Sequence, residues 1–381
     1  MTQPRPVVVI GAGPAGIAAA DTAAAIAPTI LLDERATPGG RRRWQIDPED
    51  ELRHLHGAGV DYRPGVAAWA LFPGPFVAAY DDARVFSLEA GAVVVATGAV
   101  DRRWPIPGWQ MDGLLTASQL EAPIRGESSH PGARYGVLGH GDAATAAVAA
   151  VEAAGGQTAV AIEELDGARI EGDHRVERLC GPAGCVEVDR VVMAIGTRPD
   201  PALVLQARAA STFIREALVE VPLLAADGAT SLPGVFVAGE AAGFASLDDV
   251  RSHGERAGAS AAAVASGGEQ SNELEVPSLE GVTRLPLPAD PETIICRDQQ
   301  VTLDTIRSAI AAGARDVNDI RRRTRAGMGP GGGGEVLAVL AAMLLETDPT
   351  IPGDYLIGRH RPPARPLPFR IVLDTPVEVH P

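Results

Sequence analysis

The chain has 381 residues, 46% of them hydrophobic and 22% charged, which suits two or three globular domains with a sizeable core. Its 33 basic and 49 acidic side chains give a formal net charge of −16, which argues against a nucleic-acid or anionic-membrane surface, because both require a basic footprint. Every basic residue is arginine, so catalysis through a lysine Schiff base or a lysine general base is excluded.

The predicted elements alternate between strands and helices, which indicates an α/β fold. Strands are predicted within segments 6–16, 29–34, 91–98, 134–139, 158–162, 190–196 and 233–240. Helices are predicted over 14–27, 248–266, 302–313, 316–325 and 335–346. Segments 7–16 and 136–144 are similar to each other, so we predict two related nucleotide-type folds, the second inserted into the first.

The cysteines and the apolar runs indicate where the protein resides. Cys180, Cys185 and Cys296 are too few for a disulfide framework, so we expect thiols in a reducing compartment. The first apolar run, residues 7–10, leads directly into glycines rather than a cleavage site, and the longest later run, residues 336–345, is about half of a bilayer span. We therefore expect a cytoplasmic protein with no transmembrane segment.

The first glycine turn carries a dinucleotide-binding fingerprint. Gly11, Gly13 and Gly16 follow a strand and open a helix. Gly11 permits a tight turn, and Gly13 lets a pyrophosphate approach the backbone closely. Gly16 lets the helix pack closely on the strand. Glu34 ends the second strand 21 residues after Gly13, where a carboxylate binds an adenosine ribose. The predicted cofactor-binding residues of this unit are Gly11, Gly13, Pro14, Ala15, Gly16, Asp33 and Glu34.

Two later strand ends favour FAD over NAD. The sequence Ala-Thr-Gly ends a buried strand at residues 96–98, and Gly239-Glu240 ends another after the inserted segment. This order resembles the two-dinucleotide-binding flavoprotein reductases. The resemblance implies that Glu240 contacts the ribityl-pyrophosphate region, while the next helix directs its positive end toward the flavin. A solvated role for Glu240 and for the arginines at 41–43 is the alternative. The remaining predicted cofactor-binding residues are Gly40, Arg41, Ala96, Thr97, Gly98, Gly239 and Glu240.

The second glycine turn lacks parts of this fingerprint. Gly139 and Gly141 are present, but Ala144 stands at the third position, and Asp142 would bring a like charge close to a pyrophosphate. Residues 157–189 hold one strand and a hairpin, which leaves no room for a second full βαβ unit of ~30 residues. We therefore predict a truncated second lobe, retained as a scaffold without NAD(P)H.

Residues 294–330 resemble the small helical 2Fe-2S domain related to bacterioferritin-associated ferredoxin. That domain occurs in the alpha subunits of heteromeric amino-acid dehydrogenases and oxidases. These include the octopine and nopaline oxidases, hydrogen cyanide synthase, D-hydroxyproline and L-proline dehydrogenases, and part of sarcosine oxidase alpha. The resemblance covers most of the chain, through GAGPAG, the Pro38-Gly39-Gly40 turn, ATGA at 96–99, and segments 107–109, 233–240 and 361–366.

The cluster ligands of that family are mostly missing. The family pattern places cysteines as C-x-C near the start of the domain and as C-x4-C after its last Gly-Pro. Here Cys296 remains, and the other three positions hold Asp298, Gly331 and Val336. Because cluster iron needs four ligands, normally thiolates, we expect the helical fold without a 2Fe-2S cluster. We expect Cys180 and Cys185, which are far away in sequence, to be bystander thiols rather than replacement ligands.

The fold class that follows is a two-dinucleotide-binding-domain flavoprotein, Rossmann-like, with a truncated second lobe and a small C-terminal helical domain. The first part of the FAD-binding domain is predicted over 1–131 and its second part over 201–270, with the shortened NAD-type lobe, 132–200, between them. The predicted remainder is a linker (271–292), the helical domain (293–347) and an extended tail (348–381).

The resemblance implies an alpha-type subunit of a heteromeric FAD-dependent amino-acid or imino-acid dehydrogenase or oxidase. It would act in assembly and electron transfer beside a catalytic, FAD-dependent beta subunit similar to glycine or sarcosine oxidase. The implied cofactor is FAD, or an adenine nucleotide such as ATP or ADP in the same site. The resemblance is also compatible with FMN at an interface between subunits and with a small ferredoxin-like subunit.

Two alternatives of other classes stay open, a standalone FAD-dependent NAD(P)H oxidoreductase and a non-catalytic nucleotide-binding scaffold subunit. The sequence has no C-x-x-C pair for disulfide reduction and no G-x-S-x-G elbow. His54 and His56 are two apart, which suits one face of a strand and not a metal site. We therefore assign no catalytic residue and expect no metal ligands.

Overall fold

The structure is a computed structural model that describes residues 5–42, 47–121, 132–279, 282, 284–329 and 333–374. The strands, in chain order, are β1 (Val7–Ile10), β2 (Thr29–Asp33), β3 (Asp61–Pro64), β4 (Ala67–Phe72), β5 (Phe76–Tyr80), β6 (Val85–Glu89), β7 (Ala92–Val95), β8 (Ala99–Asp101), β9 (Leu114–Thr116), β10 (Arg134–Gly139), β11 (Gln157–Ile162), β12 (Arg169–Glu171), β13 (Arg178–Gly181), β14 (Gly184–Glu187), β15 (Arg190–Ala194), β16 (Thr197–Pro199), β17 (Ser211–Ile214), β18 (Val219–Pro222), β19 (Val235–Val237), β20 (Ile294–Cys296) and β21 (Val301–Thr302).

The helices are, in chain order, α1 (Pro14–Ala24), α2 (Pro48–Gly57), α3 (Ala117–Glu121), α4 (Gly141–Ala153), α5 (Ala202–Gln206), α6 (Leu247–Ala265), α7 (Leu303–Ala311), α8 (Val317–Thr324), α9 (Gly334–Thr347), α10 (Gly353–Leu356) and α11 (Phe369–Asp374). Short 3-10 turns occur at Gly40–Arg42 and Gly239–Ala242. Within the described ranges, every helix is too short or too polar to cross a membrane.

A five-stranded parallel sheet, ordered β19-β7-β1-β2-β3, forms the core of the N-terminal lobe. Its central strand β1 is entirely buried, as expected for a parallel strand covered on both faces. Helices α1 and α6 lie against one face and pack closely on each other. A Cβ at Gly254 or Gly258 of α6 would collide with the backbone of Ala15 or Ala19, so these two glycines permit the close approach.

The inserted lobe has a four-stranded parallel sheet, ordered β11-β10-β15-β9, and a three-stranded antiparallel sheet, β12-β13-β14. Between β11 and β15 the chain is described without a gap and contains no helix, so the lobe is truncated as predicted. The predicted start of this lobe at residue 132 leaves out β9, which pairs in parallel with β15. This strand has three residues, and so short a run has no periodicity that marks it in the sequence.

The C-terminal domain is built from α7, α8 and α9, in agreement with the three predicted helices. Thr302 and Asp316 cap the first two by accepting the backbone N–H groups of Thr305 and Asp319. The domain shares a continuous apolar core with the inserted lobe, which includes Trp109. Glu335, in the first turn of α9, lines a cavity together with residues of the N-terminal lobe. The predicted α/β fold with a small C-terminal helical domain is confirmed.

Three sequence interpretations need correction. Cys180 and Cys185 are bonded to each other, so the expectation of free thiols is wrong for this pair. His54 and His56 lie on helix α2 and not on a strand, because Asp47 caps a helix there; both are exposed, as expected. The tail predicted as extended contains α10 and α11.

Candidate cofactor site

The first glycine turn forms an open cradle at the end of β1. Gly11 has φ +104° and lies against the backbone of Ala96, and a Cβ at Gly16 would collide with the Gly11 carbonyl, so neither position accepts a side chain. A Cβ at Gly13 would meet no protein atom within 4 Å. The space over Gly13 is therefore available for a group that approaches the backbone closely, as a pyrophosphate does in this fingerprint.

The last residue of β2, Asp33, and the residue after it, Glu34, are both acids, and they have different roles. The Asp33 carboxylate is buried and accepts the backbone N–H groups of Ala12 at 2.5 Å and Arg35 at 2.7 Å, so it holds the glycine turn in shape. Burial raises the pKa of Asp33 above its usual value, although these two hydrogen bonds oppose the shift. Glu34 instead faces the cavity, with its side chain 41% exposed and 2.8 Å from the Arg365 guanidinium. Glu34 is thus the acid that remains available to a ribose.

A cavity of about 450 Å³ runs from the glycine turn to the inserted lobe and the start of α9. This volume lies within the usual range of small-molecule and cofactor sites. Eleven of the fourteen predicted residues line it: Gly11, Gly13, Pro14, Asp33, Glu34, Gly40, Arg41, Ala96, Thr97, Gly98 and Glu240. The other three pack behind the wall, where Gly16 closes on Gly11 and Gly239 closes on Ala15.

Two neighbouring arginines at the cavity differ in how many of their N–H groups have hydrogen-bond partners. Arg42 is paired with Glu240 at 2.8 Å and also donates to the Ala245 carbonyl. Arg41 lies 3.3 Å from Asp101 through one nitrogen, while its Nε and Nη1 are buried without a hydrogen-bond partner among the described residues. Buried N–H groups on a cation are costly to leave unsatisfied, and Arg41 is one of the residues that line the cavity. The predicted neighbour Arg43 lies outside the described residues.

Several cavity residues were not predicted, because they come together only through tertiary contacts. Asp101 accepts both the backbone N–H and the hydroxyl of Ser118, which fixes the carboxylate that faces Arg41. Arg103 pairs with Glu335 of α9 at 3.0 Å, so the C-terminal domain contributes a wall of the cavity. The available sequence signal was the run Asp101-Arg102-Arg103, which begins three residues after Gly98 of the Ala-Thr-Gly strand end.

A buried histidine supports the turn that carries Glu240. The Nδ1 atom of His253 accepts the backbone N–H of Gly239 at 3.1 Å, and the ring lies 4.3 Å from that of Phe244. The residue is 2% exposed, and burial lowers the pKa of His253 to about 4. The imidazole is therefore neutral at pH 7 and acts as a hydrogen-bond acceptor.

The residues of the helical domain do not fit a 2Fe-2S cluster. Cys296 is buried, and its sulfur accepts the backbone N–H of Gly327 at 3.3 Å. Asp298 packs against Gly329, and Val336 is a buried residue of α9. Gly331 lies outside the described residues and brings no side-chain ligand. One thiolate is too few for cluster iron.

The described part of the chain contains one group of three or more potential metal ligands close enough to share an ion, which is Glu171 with Cys180 and Cys185. Because the two sulfurs are bonded to each other, they are not available as thiolate ligands.

Comparison with known proteins gives matches along almost the whole chain. Residues 5–167 match the family described as pyridine nucleotide-disulphide oxidoreductase, and residues 294–332 match the BFD-like [2Fe-2S] binding domain. The opine oxidase A subunit of Agrobacterium tumefaciens (strain Ach5) is 26% identical over 94% of this chain and 89% of its own length. The sarcosine oxidase alpha subunit of Corynebacterium sp. (strain P-1) is 31% identical over 40% of this chain and 19% of that protein.

Among solved structures, the crystal structure of L-proline dehydrogenase from P. horikoshii matches with a TM-score of 0.80, covering 97% of this chain and 79% of that chain at 22% identity. These matches confirm the resemblance to the alpha subunits of heteromeric amino-acid oxidases and support the prediction of an FAD-dependent oxidoreductase.

Proposed function

We propose that this chain is the alpha-type flavoprotein subunit of a heteromeric amino-acid or imino-acid dehydrogenase or oxidase, and that it binds FAD in the cavity at the first glycine turn. The observation that carries the proposal is the open space over Gly13 in a cavity that is also lined by Arg41, a cation with two N–H groups unsatisfied among the described residues. Bound FAD would supply the capacity to accept a pair of electrons and to pass them on singly or together.

The residues of this chain would bind and orient that cofactor. The backbone at Gly13 and the N-terminal end of α1 would face the pyrophosphate, and Glu34 would accept hydrogen bonds from the adenosine ribose. Arg41 would use its free N–H groups on an anionic part of the cofactor. Arg103 and Glu335 would close the far end of the cavity and limit the access of water.

A non-flavin adenine nucleotide is a second candidate ligand, favoured by one observation. Arg42 and Glu240 form an ion pair that joins the 3-10 turn Gly40–Arg42 to the turn after β19, where the resemblance places the ribityl-pyrophosphate contact. A ligand that ends before this pair, such as ADP or ATP, would leave it intact, whereas FAD would require Glu240 to accept a second partner.

We further propose that a beta subunit similar to glycine or sarcosine oxidase carries the substrate oxidation. The opine oxidase and sarcosine oxidase relatives are subunits by name, which supports this arrangement. The helical domain would hold no 2Fe-2S cluster and would support the cavity through Glu335. FMN at the interface between subunits and a small ferredoxin-like subunit remain part of the same proposal.

The experiment is to express the chain alone and together with any flavoprotein that is encoded beside it, and to analyse the ligand and iron content of each preparation. We expect one FAD per chain, no iron, and copurification of the partner. An adenine nucleotide in place of FAD would support the second candidate, and two irons per chain would contradict the loss of the cluster. Reduction of the isolated chain's flavin by NADH or NADPH would overturn the proposed role in a complex, in favour of a standalone reductase.

A further inference from the structure

A disulfide lies in the inserted lobe, away from the cofactor cavity. Cys180 and Cys185 stand directly opposite each other in the antiparallel pair β13–β14, and a two-residue turn follows the next pair, Gly181 and Gly184. Cys180 is completely buried, whereas Cys185 is exposed. We propose that Cys185 is a modification site for low-molecular-weight thiols and disulfides of the glutathione class, with Cys180 as the resolving thiol.

The surroundings of Cys185 favour thiol chemistry at this sulfur. The Nη2 atom of Arg169 lies 3.5 Å from the Cys185 sulfur. A cation beside a sulfur stabilises its thiolate, which is both the attacking and the leaving form in thiol–disulfide exchange. Glu171 holds this arginine at 2.8 Å and also binds Arg178 at 2.8 Å, so the guanidinium is fixed in place by an ion pair within the same sheet.

The hairpin is attached to the lobe by contacts that do not depend on the disulfide. Leu179 is buried and packs against Gly136 of β10, where a Cβ would lie 2.7 Å from a Leu179 methyl carbon. Gly181 packs in the same way against Ile162 of β11. Opening the disulfide should therefore leave the two sulfurs opposite each other, which is the arrangement that a reversible exchange requires.

The proposed reaction proceeds in two balanced steps. A thiolate attacks the sulfur of the exposed residue Cys185, the Cys180–Cys185 bond breaks, a mixed disulfide forms on Cys185, and Cys180 leaves as a thiolate that takes a proton from water. A second thiolate attacks the external sulfur of the mixed disulfide and releases Cys185 as a thiolate beside Arg169. The two electrons come from two small thiols, which leave joined as one disulfide, and the reverse reaction restores the bond.

The asymmetry of the two sulfurs gives a test with matched variants of the full chain. Cys180→Ser leaves Cys185 exposed beside Arg169 without its resolving partner, whereas Cys185→Ser leaves a buried thiol. After incubation with oxidised glutathione, we expect Cys180→Ser to gain one glutathione by intact mass, located at Cys185 by peptide mapping. We expect Cys185→Ser to gain none, and the buried Cys296 to stay unmodified in both.

The contribution of Arg169 is tested in a variant that retains both cysteines. In the reduced protein, Arg169→Met should slow the alkylation of Cys185 several-fold near pH 7, and the difference should disappear at strongly alkaline pH, where the thiol is fully ionised. Circular dichroism establishes that each variant is folded. Equal modification of the two serine variants, an unreactive Cys185 in Cys180→Ser, or protection of both reduced thiols by a zinc ion shared with Glu171 would overturn the proposal.

Discussion

The two glycine turns share a strand-turn-helix frame, and the elements around them differ. The first turn joins β1 to α1, whose buried residues number seven because α6 covers it. The second turn joins β10 to α4, in which only Ala147 and Val151 are buried. At the third position of the pattern, Gly16 brings α1 into contact with the turn, while the second turn has Ala144.

Side-chain support shows the same contrast. The first turn is fastened by the buried carboxylate of Asp33, and its far side is supported by His253 through Gly239. In the second turn, His140 caps α4 without a side-chain hydrogen bond and is exposed, and Asp142 puts a negative charge at the helix start. At the proposed cofactor site, a covering helix and an anchoring acid thus shape the backbone around the glycine pattern.

The largest expected effect is a loss of FAD affinity when Gly13 of the first turn is substituted. Gly13→Val should lower the affinity for FAD by more than about 100-fold, or ~3 kcal/mol, because its side chain would occupy the open space that the pyrophosphate needs. The backbone at Gly13 has φ −77°, which any residue adopts, so the variant should fold. Equilibrium binding of FAD to the apoprotein measures the effect.

The matched control is Gly141→Ala in the second turn, where a Cβ also meets open space. Its φ of +63° makes a side chain cost about 1–2 kcal/mol of stability, but the affinity for FAD should not change. An equal loss of affinity in both variants would remove the distinction between the turns, and unchanged affinity in Gly13→Val would place the cofactor elsewhere.

The site residues that can be predicted from the sequence are those that belong to short local motifs. The glycine spacing, the acid after β2 and the two strand ends identified residues that line or support the cavity. Asp101, Ser118 and Glu335 were missed because their proximity depends on how three lobes pack. The Cys180–Cys185 bond was missed although its spacing contains a signal, since a hairpin with a two-residue turn places such positions opposite each other.

The second prediction concerns pH and the support of the first turn. The folded protein keeps His253 neutral down to about pH 4, whereas the unfolded chain protonates near 6.5. Between these values the unfolded state binds more protons, so the free energy of unfolding should decrease as the pH falls, by up to about 3 kcal/mol for this group. Denaturant unfolding from pH 7 to pH 4 measures the slope.

A substitution that keeps the hydrogen-bond acceptor isolates this titration. His253→Asn should unfold with a smaller loss of stability between pH 6.5 and 4, whatever its stability at pH 7. His140→Asn in the second turn, where the side chain is exposed, should follow the wild-type curve. Identical pH slopes for wild type and His253→Asn would show that folding does not lower the pKa of His253.

The third prediction concerns Arg41, which has two N–H groups without a hydrogen-bond partner among the described residues. Arg41→Met should weaken FAD binding by about 10-fold to 100-fold, since a hydrogen bond to a charged group contributes about 1.5–3 kcal/mol. Arg134→Met removes an exposed arginine of the inserted lobe that pairs with Glu187, and should leave the affinity unchanged. A loss confined to thermal stability, with affinity retained, would mean that Arg41 serves only to anchor Asp101.

The smallest expected effect is that of removing Arg365, which pairs with Glu34. It tests whether Arg365 binds the cofactor or only pairs with that carboxylate. Glu34 and Arg365 lie 2.8 Å apart with side chains 41% and 43% exposed, so their attraction is worth less than about 1 kcal/mol in water. Arg365→Ala should therefore change stability little and alter FAD affinity by about twofold at most, because Glu34 would still reach the ribose. Arg63→Ala, which removes a comparable exposed pair with Asp61, gives the baseline for the stability change. A tenfold loss of FAD affinity in Arg365→Ala would instead show that Arg365 binds the cofactor itself.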